Sequence, residues 1–199
     1  ILPNENIDFQ FSIADVASTY FKSLPPLLGA SGHAQLRGDS FDLVIDGGNV
    51  ILPSGRTIQV RQTTFRAEQF LTPGLPGAFE LNLFAGAPEL MELAALPDLN
   101  LMRNAGFIPA NIGGQAEAKV EINMPLIKGV TREQVATHAT VKVANASVKQ
   151  VMPNVDLSEG AMLAEFDRTG IKVAGPVKIN GFPSRISWAR AAGPDSRAV

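Results

Sequence analysis

Chemistry would have to come from a small set of polar residues. The chain has two histidines, His33 and His138, and no cysteine. Each histidine falls in an alternating apolar and polar run with no second ligand-type residue at metal spacing, so no metal site is expected. Asp42 and Asp46 lie four apart in SFDLVID, where a period of two puts both on one strand face, the solvated one. Carboxylates placed that way keep a sheet soluble more often than they act as a general acid and base. Gly29-Ala30-Ser31-Gly32-His33 suggests a nucleophile elbow until its last position, where histidine stands instead of glycine. Gly47-Gly48 and Gly113-Gly114 lack the Lys-Ser/Thr of a phosphate loop and open no helix, so they read as turns. Arg37-Gly38-Asp39 matches an adhesion tripeptide and Asn145-Ala146-Ser147 a glycosylation acceptor, both short enough to arise by chance. The expectation is a protein that is not an enzyme and uses no cofactor.

The elements that would position such residues are short and mostly extended. At 199 residues with 45% hydrophobic content, the chain is long enough for one sizeable domain or two small ones. Seventeen basic against nineteen acidic residues give a formal charge of −2 and no electrostatic reason to expect nucleic acid as a partner. No apolar run reaches the roughly 18 residues of a membrane span. The start, with Ile7, Phe9, Phe11 and Ile13 alternating, reads as the middle of a pattern, and AAGPDSRAV at the other end reads as a tail or linker.

Ile13, Val16, Ala17, Tyr20, Phe21 and Leu24 follow helical spacing, with Ser12 and Asp15 placed as a capping box, so a helix is expected from Ile13 to Ser23, stopped by Pro25-Pro26. A second helix is expected from Ala87, with Pro88 in its first turn and Leu90, Leu93 and Ala94 on one face. Between and after them come alternating runs bounded by glycine, proline or asparagine, with SFDLVID separated from NVIL and GIKVAG from PVKING. FQFSIADVASTYFKSLPPL with SGHAQL, set beside LNLFAGAPELMELAALPDL with GGQAEAKV, reads as an internal repeat. The expected fold is mainly β with short helices (α+β): repeated units of curled antiparallel sheet, each preceded by a short helix, forming a groove-like structure. One elongated domain would cover residues 1–190, as the end of a unit (1–12) and two further units (13–86 and 87–190), with a tail at 191–199.

The repeat and its punctuation carry a family resemblance. Leu24-Pro25, SGHAQLRGDSFDLVIDGGNVILPSGRTIQVRQTTF, the strand closing on Gly86, the helix before Leu96-Pro97, GFIPANIGGQAEAKVEINMPL and VKVANASVKQVMPNVDLSEGAMLAEFDRTGIKVAGPVKINGFPSRISW together resemble the AsmA-like proteins of the YhdP branch, from about Ile7 to Trp188. The resemblance implies an internal segment of a large periplasmic protein anchored in the inner membrane of a Gram-negative cell. Its hydrophobic β-groove would carry phospholipid toward the outer membrane. The implied partners are phospholipid acyl chains, the adjoining repeats and other envelope proteins. The alternative expectation is a scaffolding envelope module with a closed core that binds proteins.

The residues expected to line a groove or core are the alternating sets Phe41, Leu43 and Ile45; Ile58 and Val60; Phe79, Leu81 and Leu83; Val120, Ile122 and Met124; and Val141 and Val143. A bulge near Gly47 or Thr63 would flip part of a set to the other face. A charge at Leu43 or Val60 is expected to block lipid occupancy while sparing the fold, as it would on a wet groove wall.

Overall fold

The computed structural model describes residues 7–19, 24–70, 72, 74–97, 99 and 111–191. They form one antiparallel sheet of ten strands that pair in sequence order. The strands are β1 (Asp8–Ser18), β2 (Leu27–Arg37), β3 (Ser40–Ile51), β4 (Thr57–Ala67), β5 (Pro76–Gly86), β6 (Ile112–Pro125), β7 (Ala136–Met152), β8 (Val155–Asp167), β9 (Gly170–Ile179) and β10 (Phe182–Ala191). One α-helix, α1 (Ala87–Ala95), leaves β5 directly and starts from an extended Gly86 with proline in its first turn. The sheet is a single open layer. The expected curling into a trough and the helix before each unit are not seen.

The first expected helix is instead the second half of β1, and the remainder of that helix, at residues 20–23, lies outside the described residues. Ile13 pairs with Gly32 and Val16 with Ala30, with a register shift between them and Asp15 at φ 52°. A bulge inserts one residue into the alternation, so side chains three apart return to the same face of a strand. That spacing imitates one turn of a helix. The boundary placed at 12/13 therefore falls inside β1.

The same device recurs. Gly29 lies between Leu27 and Ala30, Gln62 between Val60 and Thr63, Asn145 between Val143 and Ala146, and Glu159 between Leu157 and Gly160, each with positive φ. In β4 and β7 the apolar residues change phase at the bulge, so both halves of the strand stay on one side.

SFDLVID runs on through Ile51 as one strand, and GIKVAG through Ile179 as another. Gly47 and Gly48 do not turn; they pair with Arg61 and Val60 in the middle of β3. A side chain at Gly48 would enter the space of Leu27, its Cβ coming 2.7 Å from Cδ1. This is what Gly48 in SFDLVIDGGNVIL is for: it lets β2 close on β3 where both strands change phase.

The core is small. Val50, Leu52, Ile58, Val60, Leu83 and Ala118 form its cluster, with Leu90 and Leu93 of α1 packed against it. Ile58 is the one large side chain fully buried among the described residues, and the other buried apolar residues include Ala30, Ala34, Ala67, Ala87 and Ala116.

Candidate functional site

Directly opposed residues of an antiparallel pair point to the same side of the sheet, so the register draws each face row by row. One row runs Phe11, Ala34, Leu43, Phe65, Phe79, Ile122 and Thr137 across β1 to β7. Another runs Val60, Leu83, Ala118, Val141, Ala164, Val173 and Trp188 across β4 to β10. Because β5 keeps strict alternation from Phe79 to Leu83, both rows lie on the same side. That side is apolar from one edge strand to the other.

The opposite side is hydrated. Its rows include Ser12, His33, Val44, Thr64, Glu80, Glu121 and His138, with few large apolar groups. Arg66 donates to Asp42 at 2.7 Å, and that hydrogen bond, with the carboxylate charge, raises the guanidinium's pKa. Lys119 reaches Glu121 and Glu80, both at 3.1 Å, and these contacts raise its pKa. His33 Nδ1 lies 3.6 Å from Asp46. These pairs are solvent-exposed and contribute solubility and cross-strand preference rather than much stability.

All of the residues expected to line a groove fall on the apolar side. They divide by cover. Ile45, Ile58, Val60 and Leu83 are buried, the last three in the cluster beneath α1. Phe41, Leu43, Phe79, Leu81, Val120, Ile122, Met124, Val141 and Val143 are half-buried. Leu43 and Val60, treated alike in the sequence reading, differ here: Val60 is 5% exposed and belongs to the core.

Several residues outside those alternating sets lie on the same face. Phe65 stacks on Phe79 with ring centroids 4.4 Å apart and lies 6.0 Å from Phe41, which in turn lies 5.3 Å from Phe70. Phe9 and Phe11 continue the face on β1, and Phe182, Ile186 and Trp188 continue it on β10. Phe9 is 59% exposed, Phe182 74% and Trp188 40%. A change of phase between Val60 and Phe65 is the signal that could have found Phe65.

Among the described residues no group of three or more histidine or acidic side chains could hold a metal ion, and no helix is long and apolar enough to cross a membrane. Two shallow depressions lie at the polar side. One, around Glu121, His138, Asp167 and Arg168, sits beside the β8–β9 turn. The other lies around Gln59, Phe84, Glu117 and Lys142. In the first, Asp167 accepts from the Thr169 hydroxyl at 2.6 Å and from its backbone N–H at 2.7 Å. These bonds, with smaller help from Gly170 N–H and His138, hold its carboxyl below the usual carboxylate range. The aspartate is closing a turn.

A depressed folded-state pKa stabilises the turn fully above the unfolded value, about 3.9, and the contribution is lost as pH falls through the folded value. Thermal unfolding of the wild type and Asp167→Asn across pH 3 to 7 checks this. The gap between their midpoints should be constant above about pH 5 and shrink toward the acid end. A gap unchanged at low pH would show that the carboxylate's charge is not involved.

Comparisons with protein-family models, with curated proteins and with solved structures gave no match. Function must therefore be argued from the apolar face itself.

Proposed function

We propose that this chain is a lipid-contacting segment of a cell-envelope protein of the AsmA-like, YhdP-branch kind, its apolar sheet face receiving phospholipid acyl chains between inner and outer membranes. The observation that carries the proposal is the extent of that face against its cover. It crosses ten strands, and among the described residues the helix α1 packs over the part around Val50, Ile58, Val60, Leu83 and Ala118. Monomeric soluble proteins rarely leave contiguous apolar patches beyond a few hundred Å² without a use for them.

The dimensions suit the ligand. Ten strands spaced about 4.8 Å apart span roughly 45 Å. One leaflet's acyl chains occupy half of a hydrocarbon core about 30 Å thick, roughly 15 Å. Each methylene moved from water to such a face gains about 0.8 kcal/mol, so chains can shift along a continuous apolar surface without paying for exposure. The polar side, with its ion pairs, would remain in water. Nothing in this reading requires a catalytic residue, and the limited core favours it over the closed scaffold.

Native mass spectrometry of the purified protein, with lipid extraction alongside, tests the proposal. Phospholipid is expected on the wild type and should fall at least about five-fold in Leu43→Asp, because a half-buried position on the face can take a charge that acyl chains cannot. Circular dichroism confirms that this variant is folded. A wild type without lipid, whether monomeric or joined face to face with a second copy, would overturn the reading.

A further inference from the structure

We propose that Asn180, followed by Gly181, is a deamidation site that the fold shields, so that its modification records how often the β9–β10 hairpin parts from β8. This goes beyond the lipid reading and stands independently of it. Asn180-Gly181 is the one Asn-Gly pair in the sequence. Glycine has no side chain to obstruct its own nitrogen, so in this dipeptide the backbone nitrogen attacks the preceding side-chain carbonyl most readily. The Gly181 nitrogen bonds to Asn180 Cγ and gives up its proton, and the Cγ–Nδ2 bond breaks to release ammonia. Water then opens the five-membered ring at either carbonyl, leaving aspartate or isoaspartate.

Local geometry both creates the site and guards it. Ile179 pairs with Phe182, so Asn180 and Gly181 are the whole of the β9–β10 turn. Their φ angles, 48° and 86°, are the paired positive values of a tight type I′ hairpin, which is why this dipeptide stands here. Both residues are exposed, so water is at hand and burial gives no protection.

Protection comes from three hydrogen bonds to β8 and the turn before it. Asn180 N–H donates to the Asp156 carbonyl at 2.9 Å, one rung beyond the pairing of Leu157 with Ile179. Asn180 Oδ1 accepts from Asp156 N–H at 2.8 Å, and Nδ2 donates to the Asn154 carbonyl at 2.9 Å. Asp156 is fixed in turn, its carboxylate accepting from Gln150 N–H at 2.7 Å. To bring Cγ onto the Gly181 nitrogen the side chain must give up both of its bonds, which requires the hairpin to open away from β8.

The product cannot restore the clamp. Aspartate keeps an acceptor for Asp156 N–H, but it sets an oxygen against the Asn154 carbonyl where Nδ2 had donated, and it adds a negative charge to a corner that already holds Asp156. Isoaspartate adds a methylene to the main chain of a turn only two residues long. Either form should leave the hairpin looser than before.

Peptide mapping by mass spectrometry, on the whole chain kept at neutral pH and physiological temperature with and without concentrated urea, tests the proposal. Deamidation at Asn180 should be at least about ten-fold slower without urea, because it proceeds only through the opened fraction. In urea, Gly181→Ala should slow it at least about five-fold, since a methyl group then hinders the attacking nitrogen. Asn180→Asp, which copies one product, should lower the urea midpoint of unfolding with its slope unchanged. Equal rates with and without urea would overturn the shielding, and an Asn180 left intact in urea would overturn the site. An Asn180→Asp variant as stable as the wild type would overturn the clamp.

Discussion

Replacing Val60 with aspartate should unfold the protein. Val60 sits within the cluster of Val50, Leu52, Ile58, Leu83 and Ala118, roofed by Leu90 and Leu93, and is 5% exposed. No described side-chain nitrogen or oxygen is buried without a partner, and no buried polar residue stands near to receive a carboxylate. An unpaired carboxylate there must stay charged and dry, protonate, or force the helix off the sheet. The cost exceeds about 4 kcal/mol, against a total stability of about 5–15 kcal/mol for a typical domain. Far-ultraviolet circular dichroism and urea titration check it: Val60→Asp should show no cooperative transition, while Leu43→Asp keeps one. A folded Val60→Asp would mean α1 does not seal the cluster.

The second large effect should come from a single methyl group. Gly32 lies where β2 changes phase, and a Cβ there would fall on the Val44 carbonyl oxygen and within 3.0 Å of the Ile45 Cα. Both obstacles are backbone of the adjoining strand, which cannot rotate away, so Gly32→Ala must push β2 from β3. Gly175 in β9 meets the Ala161 carbonyl oxygen in the same manner. Each alanine should cost about 3 kcal/mol, the upper end of the range for overpacking. Gly47→Ala is the control, since its Cβ would meet only the Ser31 Oγ at 3.9 Å. Hydrogen exchange should localise the Gly32→Ala damage to β2 and β3, and equal stability of the two variants would refute the close-approach argument.

The face was legible because it depends on side-chain period, which a strand writes directly into sequence. Phe41, Leu43 and Ile45 alternate on β3, Phe79, Leu81 and Leu83 on β5, and Val120, Ile122 and Met124 on β6, so each strand's share of the face is written locally. Three things were not legible. A bulge changes the period locally, so Ile13 and Val16 looked helical when Asp15 had merely added a residue between them. Gly47-Gly48 looked like a turn for a related reason, because glycine marks both a reversal of the chain and a close approach of strands. Cover also escaped notice. Whether Val60 or Leu43 is sealed depends on where Leu90 and Leu93 come to rest, thirty or more positions along the chain, and no local pattern encodes that docking.

The order of the strands also shapes how the chain reaches this structure. Every strand pairs with its neighbours in sequence, and each link is no longer than about ten residues except where α1 and the segment after it intervene between β5 and β6. Loop-closure entropy is therefore modest at nearly every step, unlike a sandwich in which distant strands must find each other. Folding should begin at any stable hairpin and spread outward, each strand templating the next, as in a linear array of units. The two halves on either side of α1 would then assemble separately, and their joining, β5 to β6, would be the slowest step.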